Sequence, residues 1–196
     1  MSKIISDDAL DQTFRQARTH RSWTAEPVSD VVLQAAYDLA RMAPTSANCS
    51  PMRVLFLKSK AAKERLKPAL SEGNVQQTMA APVTAIFAYD LQFYESLPRL
   101  YPFADARSWY VGKDELIRNT AFRNGSLQGA YFIIAARAVG LDCGPMSGFD
   151  NAKVDAEFFR DGRIKSNFLC NIGHGDGAGM KPREPRLEFD EACTIL

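Results

Sequence analysis

The segment that most constrains how this chain can fold is a helical pattern that opens at Asp114 and runs to about Val139, where Gly140 supplies a stop. It is the longest such pattern in the sequence. Its second half, Tyr131-Phe132-Ile133-Ile134-Ala135-Ala136, is apolar all round, which predicts deep burial. Its first half sets Gly125 and Gly129 four apart on one face, where a second helix backbone could approach closely. Close packing there would offset the roughly 1 kcal/mol that each glycine costs relative to alanine. One subunit of 196 residues can bury such a helix alone, but a core shared by two copies buries it more easily.

Shorter elements frame this helix. Ser6 can cap a first helix with Leu10, Phe14 and Ala17 on one face, and Ser29 a second with Leu33, Ala36, Tyr37 and Ala40 as its buried stripe, ended by Pro44. Val54 to Leu57 and Pro82 to Tyr89 are short continuous apolar runs, expected as strands covered on both faces. Leu141 to Gly144 and Lys165 to Ile172 add two more strands. Beyond Gly173 the chain turns polar and irregular, ending in an amphipathic stretch from Leu187 to Leu196. No repeat or linker divides the pattern, so residues 1–196 are expected to form one α+β domain.

Several function classes drop out on composition. Lys plus Arg (24) and Asp plus Glu (23) nearly cancel, so no net field recruits nucleic acid or a membrane surface. Met1 to Leu10 carries two aspartates and no apolar core of a secretory signal, and the Ala130 to Leu141 stretch, interrupted by Arg137, is too short to span a bilayer. Cys49, Cys143, Cys170 and Cys193 form no CxxC pair, and with only His20 and His174 no metal cluster is expected. A cytoplasmic, metal-free protein is the expectation.

The candidate chemistry lies in loops. Ala17-Arg18-Thr19-His20-Arg21-Ser22-Trp23 gathers basic side chains and hydroxyls suited to a phosphate monoester, although basic residues after a helix are also favoured by its dipole. Ala43-Pro44-Thr45-Ser46-Ala47-Asn48-Cys49-Ser50-Pro51 packs small hydroxyl and amide residues between prolines, which suits the polar edge of a heterocycle. Gly144-Pro145-Met146-Ser147-Gly148-Phe149-Asp150 follows a strand and precedes a helix that Asp150 can cap, so its turn amides can face a ligand. Asn74 and Gln77 lie one turn apart if their segment is helical. The glycine run Gly173 to Gly179 does not open a helix and leads into Lys181-Pro182-Arg183-Glu184-Pro185-Arg186, so it is a flexible surface turn rather than a dinucleotide fingerprint. Cys49 has no histidine nearby in sequence to serve as its base. With no Ser/His/Asp set and no carboxylate pair, the loops fit a cofactor that brings its own chemistry.

In order and spacing these segments resemble the nitroreductase family of FMN enzymes, from about Phe14 to the C-terminus, and within it the malonic semialdehyde reductase branch. The resemblance rests on the three loops together with Lys67-Pro68-Ala69-Leu70-Ser71, Asp105-Ala106-Arg107-Ser108-Trp109, Thr120-Ala121-Phe122-Arg123-Asn124 and Lys165-Ser166-Asn167. It implies a mostly antiparallel central sheet flanked by helices, and a homodimer with FMN at its interface. It places Arg18, Thr19, His20 and Arg21, with Arg183 and Arg186, at the phosphate and ribityl end. Asn74, Gln77, Pro145, Met146, Ser147 and Gly148 would meet the flavin ring, and Pro44, Thr45, Ser46, Asn48 and Ser50 would complete the pocket from the other subunit. Relatives often carry two arginines and a serine where this chain has Ala17-Arg18-Thr19, and a glutamine where it has Ser50.

The implied activity is ping-pong hydride transfer from NADPH or NADH through flavin N5, with no catalytic side chain required. The acceptor implied is malonic semialdehyde, reduced to 3-hydroxypropionate in pyrimidine catabolism. Arg107 and Arg123 are candidate cations for its carboxylate, and Trp109 with Phe103 a candidate aromatic lid. A broad nitroaromatic or quinone reductase and a flavin-binding protein without turnover are the alternatives.

Overall fold

The computed structural model describes residues 3–178 and 180–196. Four strands, β1 (Met52–Leu57), β2 (Val83–Asp90), β3 (Asp142–Met146) and β4 (Ile164–Gly173), form one sheet in the order β1-β2-β4-β3. Every neighbouring pair is antiparallel. Around the sheet lie α1 (Asp7–Leu10, continued by a π-helical turn Asp11–Arg15), α2 (Asp30–Ala40), α3 (Lys60–Leu66), α4 (Glu72–Ala80), α5 (Leu97–Leu100), α6 (Asp114–Ala138), α7 (Asn151–Phe158) and α8 (Phe189–Ala192).

Strand alternation builds two of the three cores. Val83, Ala85 and Phe87 of β2 face Leu33, Ala36 and Ala40 of α2 and Phe132, Ala135 and Ala136 of α6. Ile86 and Leu169 face the opposite side, where Leu66 of α3 and Val154 of α7 close over them. The third core packs Phe93, Leu97, Ala106, Tyr110 and Cys49 against Ile117 and Ala121, in the first half of α6. The caps at Ser29 and Asp150 form as expected, their side chains accepting from the amides of Val32 and Lys153. Gly140, at φ +84°, ends α6 just after Val139.

Several expectations need correction. The glycine face of α6 meets the sheet, not another helix. A Cβ at Gly129 would lie 2.6 Å from the ring of Phe168, and one at Gly125 would lie 3.1 Å from Cβ of Tyr89. Phe168 stacks on Phe87 at 4.6 Å and has no room to yield. Gly129→Ala should therefore destabilise the fold by about 1–3 kcal/mol in urea denaturation, although alanine is the better helix former.

The second half of α6 is not enclosed within one copy. Tyr131 is exposed and Ile133 and Ile134 are half-buried, while Leu116, Phe122 and Leu127 also face out. Tyr37 of α2 stands exposed beside its buried stripe. β1 is an edge strand whose four central residues are only half-buried, because no third strand covers its outer side. In the first helix Phe14 is exposed and Thr13 turns inward, since the π turn rotates the face that the 3.6-residue spacing assumed. The stretch from Leu187 to Leu196 is exposed throughout.

Candidate functional site

Residues 19–24 run as an extra extended segment alongside β3 and past the end of β4. Thr19 bridges Cys143 in parallel, the His20 amide donates to the Cys143 carbonyl (3.0 Å), Trp23 bridges Gly175, and the Thr24 amide donates to the His174 carbonyl (2.8 Å). Only residues without a side chain fit beside it. A Cβ on Gly144 would lie 2.4 Å from the His20 carbonyl, and one on Gly175 would lie 1.9 Å from the His20 ring. The turn after β4 is thus tied down rather than free. The Gly175 amide donates to Asp142 (2.9 Å), and the Ser22 hydroxyl bonds both Asp176 and the Ala178 carbonyl. Ser22 and the Ala178 amide hold the Asp176 carboxyl below its ordinary value. Gly179, the last glycine of the run, lies outside the described residues.

This segment forms one wall of a cavity of about 440 Å³, lined by Arg18, Thr19, His20, Arg21, Ser22, Arg137 and residues 177–178, 180–184 and 186. The C-terminal segment is strapped across it. Arg183 donates to the carbonyls of Arg15 (2.7 Å) and Ala17 (2.9 Å), and Arg18 donates in return to the Lys181 carbonyl. Two of the expected phosphate residues line the cavity while engaged with the protein itself. The His20 ring lies 3.4 Å from Asp142, wedged against Gly175 and Trp23, and Arg186 turns back on the carbonyls of Glu184 and Pro185. Arg137, seen in the sequence only as an interruption of an apolar stretch, reaches the cavity from the last turn of α6.

A second cavity of about 380 Å³ is lined by Pro145 and Met146 at the end of β3 and Ser147 of the turn after it, with Ser126, Ala130 and Ile133 of α6 and Phe168. The turn is braced by α4, whose helical conformation does set Asn74 and Gln77 one turn apart. Asn74 Nδ2 donates to the Gly148 carbonyl (2.9 Å), and Gln77 Nε2 donates to Asn74 Oδ1 (2.6 Å). Gly148 has to be glycine, because a Cβ there would meet Asn74 Nδ2 at 2.5 Å.

The loop from Pro44 to Ser50 is not part of either cavity in the same copy. It is rigid: Ala47, Asn48 and Ser50 all hold positive φ (48°, 51° and 40°), a conformation that costs non-glycine residues about 1 kcal/mol or more each. Its anchors come from α6 and α5. The Ser46 amide donates to Asn124 Oδ1 (2.9 Å), the Ser50 amide to Thr45 Oγ1 (3.2 Å), and Asn48 Nδ2 to the Leu100 carbonyl (2.9 Å). Gln128, one turn beyond Asn124, accepts from the Met52 amide. Sequence reasoning missed both clamps, whose signal is a pair of amides four apart in a buried helix face. Cys49 sits beneath, its thiol pushed up to about 11 by burial, so it is no nucleophile at neutral pH. Cys143 and Cys170 are also buried, and Cys193 is exposed.

Arg107 is not a free cation, because both its Nε and Nη2 donate to Glu95 at 2.8 Å. Arg123 is exposed on α6 and makes no ion pair among the described residues. Trp109 and Phe103 are exposed and flank the half-buried Tyr101, which packs on the third core. Among the described residues there is no metal-binding group of His, Cys, Asp and Glu, and no helix long and apolar enough to cross a membrane.

An antiparallel sheet layered between helices, with two cavities beside α6, defines an α+β protein. The chain belongs to the nitroreductase family, whose profile matches residues 14–174. A Polynucleobacter asymbioticus protein provisionally named NADH dehydrogenase/NAD(P)H nitroreductase is 60% identical over 196 residues, covering all of both chains. A Burkholderia lata protein of the same provisional name is 62% identical over 191 residues, 97% of this chain and 98% of its own. The fold matches a provisionally named nitroreductase from Exiguobacterium sibiricum, solved in complex with FMN, with a TM-score of 0.85 at 19% identity over the whole of both chains.

Proposed function

We propose that the chain is an FMN-dependent NAD(P)H oxidoreductase that works as a homodimer. The observation that carries this reading is the 440 Å³ cavity, whose lining brings Arg18, Arg21, Lys181 and Arg183 together with Thr19 and Ser22. Such a set suits a dianionic phosphate. The fit extends along the site: Pro145, Met146 and Ser147 border a second, largely apolar cavity.

Arg18, Arg21 and Arg183 would hold the phosphate, while Asn74 and Gln77 brace the turn that faces the ring. Bound FMN would supply the hydride chemistry that no side chain here offers. Asn124 and Arg137 lie about 20 Å apart along α6, at roughly 1.5 Å per residue. The 44–50 loop of one copy therefore sits far from its own basic cavity, and a second copy packed on the exposed face of α6 would supply that loop. The exposed Leu116, Phe122, Leu127 and Tyr131 support such packing.

For the acceptor, the resemblance to the malonic semialdehyde branch supports reduction of that aldehyde to 3-hydroxypropionate. Arg123, beside the Asn124 clamp, is the cation left to meet its carboxylate, since Arg107 is engaged by Glu95. A nitroaromatic or quinone acceptor is favoured instead by the exposed Phe103 and Trp109 around the half-buried Tyr101 and by the relatives' names.

An anaerobic visible spectrum of FMN-loaded protein tests the reading. NADPH or NADH should bleach the flavin band, and malonic semialdehyde should restore it. Restoration by a quinone or nitroarene alone would select the second acceptor. Tight FMN binding without bleaching would leave a flavin-binding protein without turnover, and no binding would sink the proposal. Arg18→Ala should weaken FMN by about tenfold or more in a fluorescence titration; unchanged affinity would remove Arg18 from the phosphate site.

A further inference from the structure

The apolar end of α6 carries one cation, Arg137, and its surroundings do not neutralise it. Its Nε is buried with no hydrogen-bond partner, Nη1 donates to the Thr13 carbonyl at 3.2 Å, and it makes no ion pair among the described residues. Arg137 is half-buried, and a guanidinium partly withdrawn from water without a counter-charge is costly, so an anion in the cavity would make the arrangement more favourable. A helix-dipole role accounts for it poorly. The side chain crosses to α1's π turn, while the Arg137 carbonyl is already served by Gln12 Nε2 and the Gly140 amide. The charges nearest along the cavity are Arg18, Arg21, Lys181, Arg183 and Arg186, opposed by Glu184, while Asp176 is occupied by Ser22 and the Ala178 amide.

We infer that Arg137 forms the inner wall of the anion site and binds the phosphate of FMN from the α6 side. This rests on the FMN reading above and adds to it a residue that lies outside both basic loops. The apo protein holds a cation waiting for its partner, so removing the charge should act in opposite directions on the two states.

The test titrates the apo protein with FMN and with riboflavin, which has the same ring and no phosphate, and records apo melting curves. Arg137→Met should lose about ten- to a hundredfold in FMN affinity. Its riboflavin affinity should match wild type, and its apo Tm should be equal or higher. Arg137→Lys should recover part of the FMN affinity. Unchanged FMN affinity in Arg137→Met overturns the inference, and so does a parallel loss for both flavins with a fallen apo Tm, which would mark a structural strut. If wild type binds neither flavin, the functional reading fails, and inorganic phosphate then decides Arg137 alone. A phosphate-induced rise in Tm confined to wild type supports the anion site, and an equal rise in both proteins overturns it.

Discussion

Asp90→Asn should cost the fold about 3 kcal/mol at neutral pH, a large share of the ~5–15 kcal/mol that stabilises a typical domain. Asp90 ends β2 fully buried and receives Arg53 from β1 (2.6 Å) and Arg163 just before β4 (2.8 and 2.6 Å), with the Gln92 amide as a further donor. One carboxylate thus staples three strands at one end of the sheet. The amide would leave two guanidinium groups without their counter-charge, but both arginines reach solvent, which keeps the loss at the lower end for broken buried pairs. Burial alone would raise this carboxyl; the bonds from Arg163 and Gln92 and the charges of Arg53 and Arg163 outweigh it and hold it low. Because the folded value lies below the unfolded one, near 3.9, the contribution is complete above about pH 4 and is lost as pH falls through the folded value. Urea unfolding from pH 3 to pH 7 should show wild type and Asp90→Asn converging on the acid side. A constant gap at all pH values would reject the carboxylate as its source.

The double change Leu127→Glu with Tyr131→Glu should convert the proposed dimer to monomers and weaken FMN by at least about tenfold. Both side chains face outward from α6 in one copy, so the substitutions leave the three cores untouched and apo stability of the monomer close to that of an ordinary surface variant. Paired with its copy, the same face would bring four carboxylates together in a desolvated interface. Light scattering and flavin titration on one sample check both halves. A monomeric variant that keeps full FMN affinity would show that one copy suffices for the site, and a monomeric wild type would remove the dimer altogether.

Much of this architecture was legible in the residues, for reasons that can be named. Ser29 and Asp150 cap where they stand because a hydroxyl or carboxylate before an apolar period has few better uses. The β2 run is buried because its neighbours on both sides are strands. By contrast, the outer flank of β1 depends on its being last in the sheet, which no local pattern reveals. Gly125 and Gly129 announced a close approach but not its partner, since the aromatic rings of Tyr89 and Phe168 arrive from strands far along the chain. The same holds for the site. The 17–23 segment could be read as a candidate phosphate loop from its basic residues, whereas only the fold shows Arg107 held by Glu95 and the His20 ring beside Asp142. Arg137 looked like a blemish in an apolar run, and only the fold places it on a cavity wall.

The distribution of sulfur has a practical side. Three thiols are sealed beneath the 44–50 loop and between β3 and β4, whereas Cys193 stands in the open just past α8. A maleimide offered to the native chain therefore meets a single addressable site, and denaturant uncovers the others, so labelling stoichiometry reports the folded fraction directly. A dye at Cys193 would also ride the arm that carries Leu187, Phe189, Ile195 and Leu196, giving a spectroscopic view of whether that arm finds a surface, with no cysteine engineered in or out.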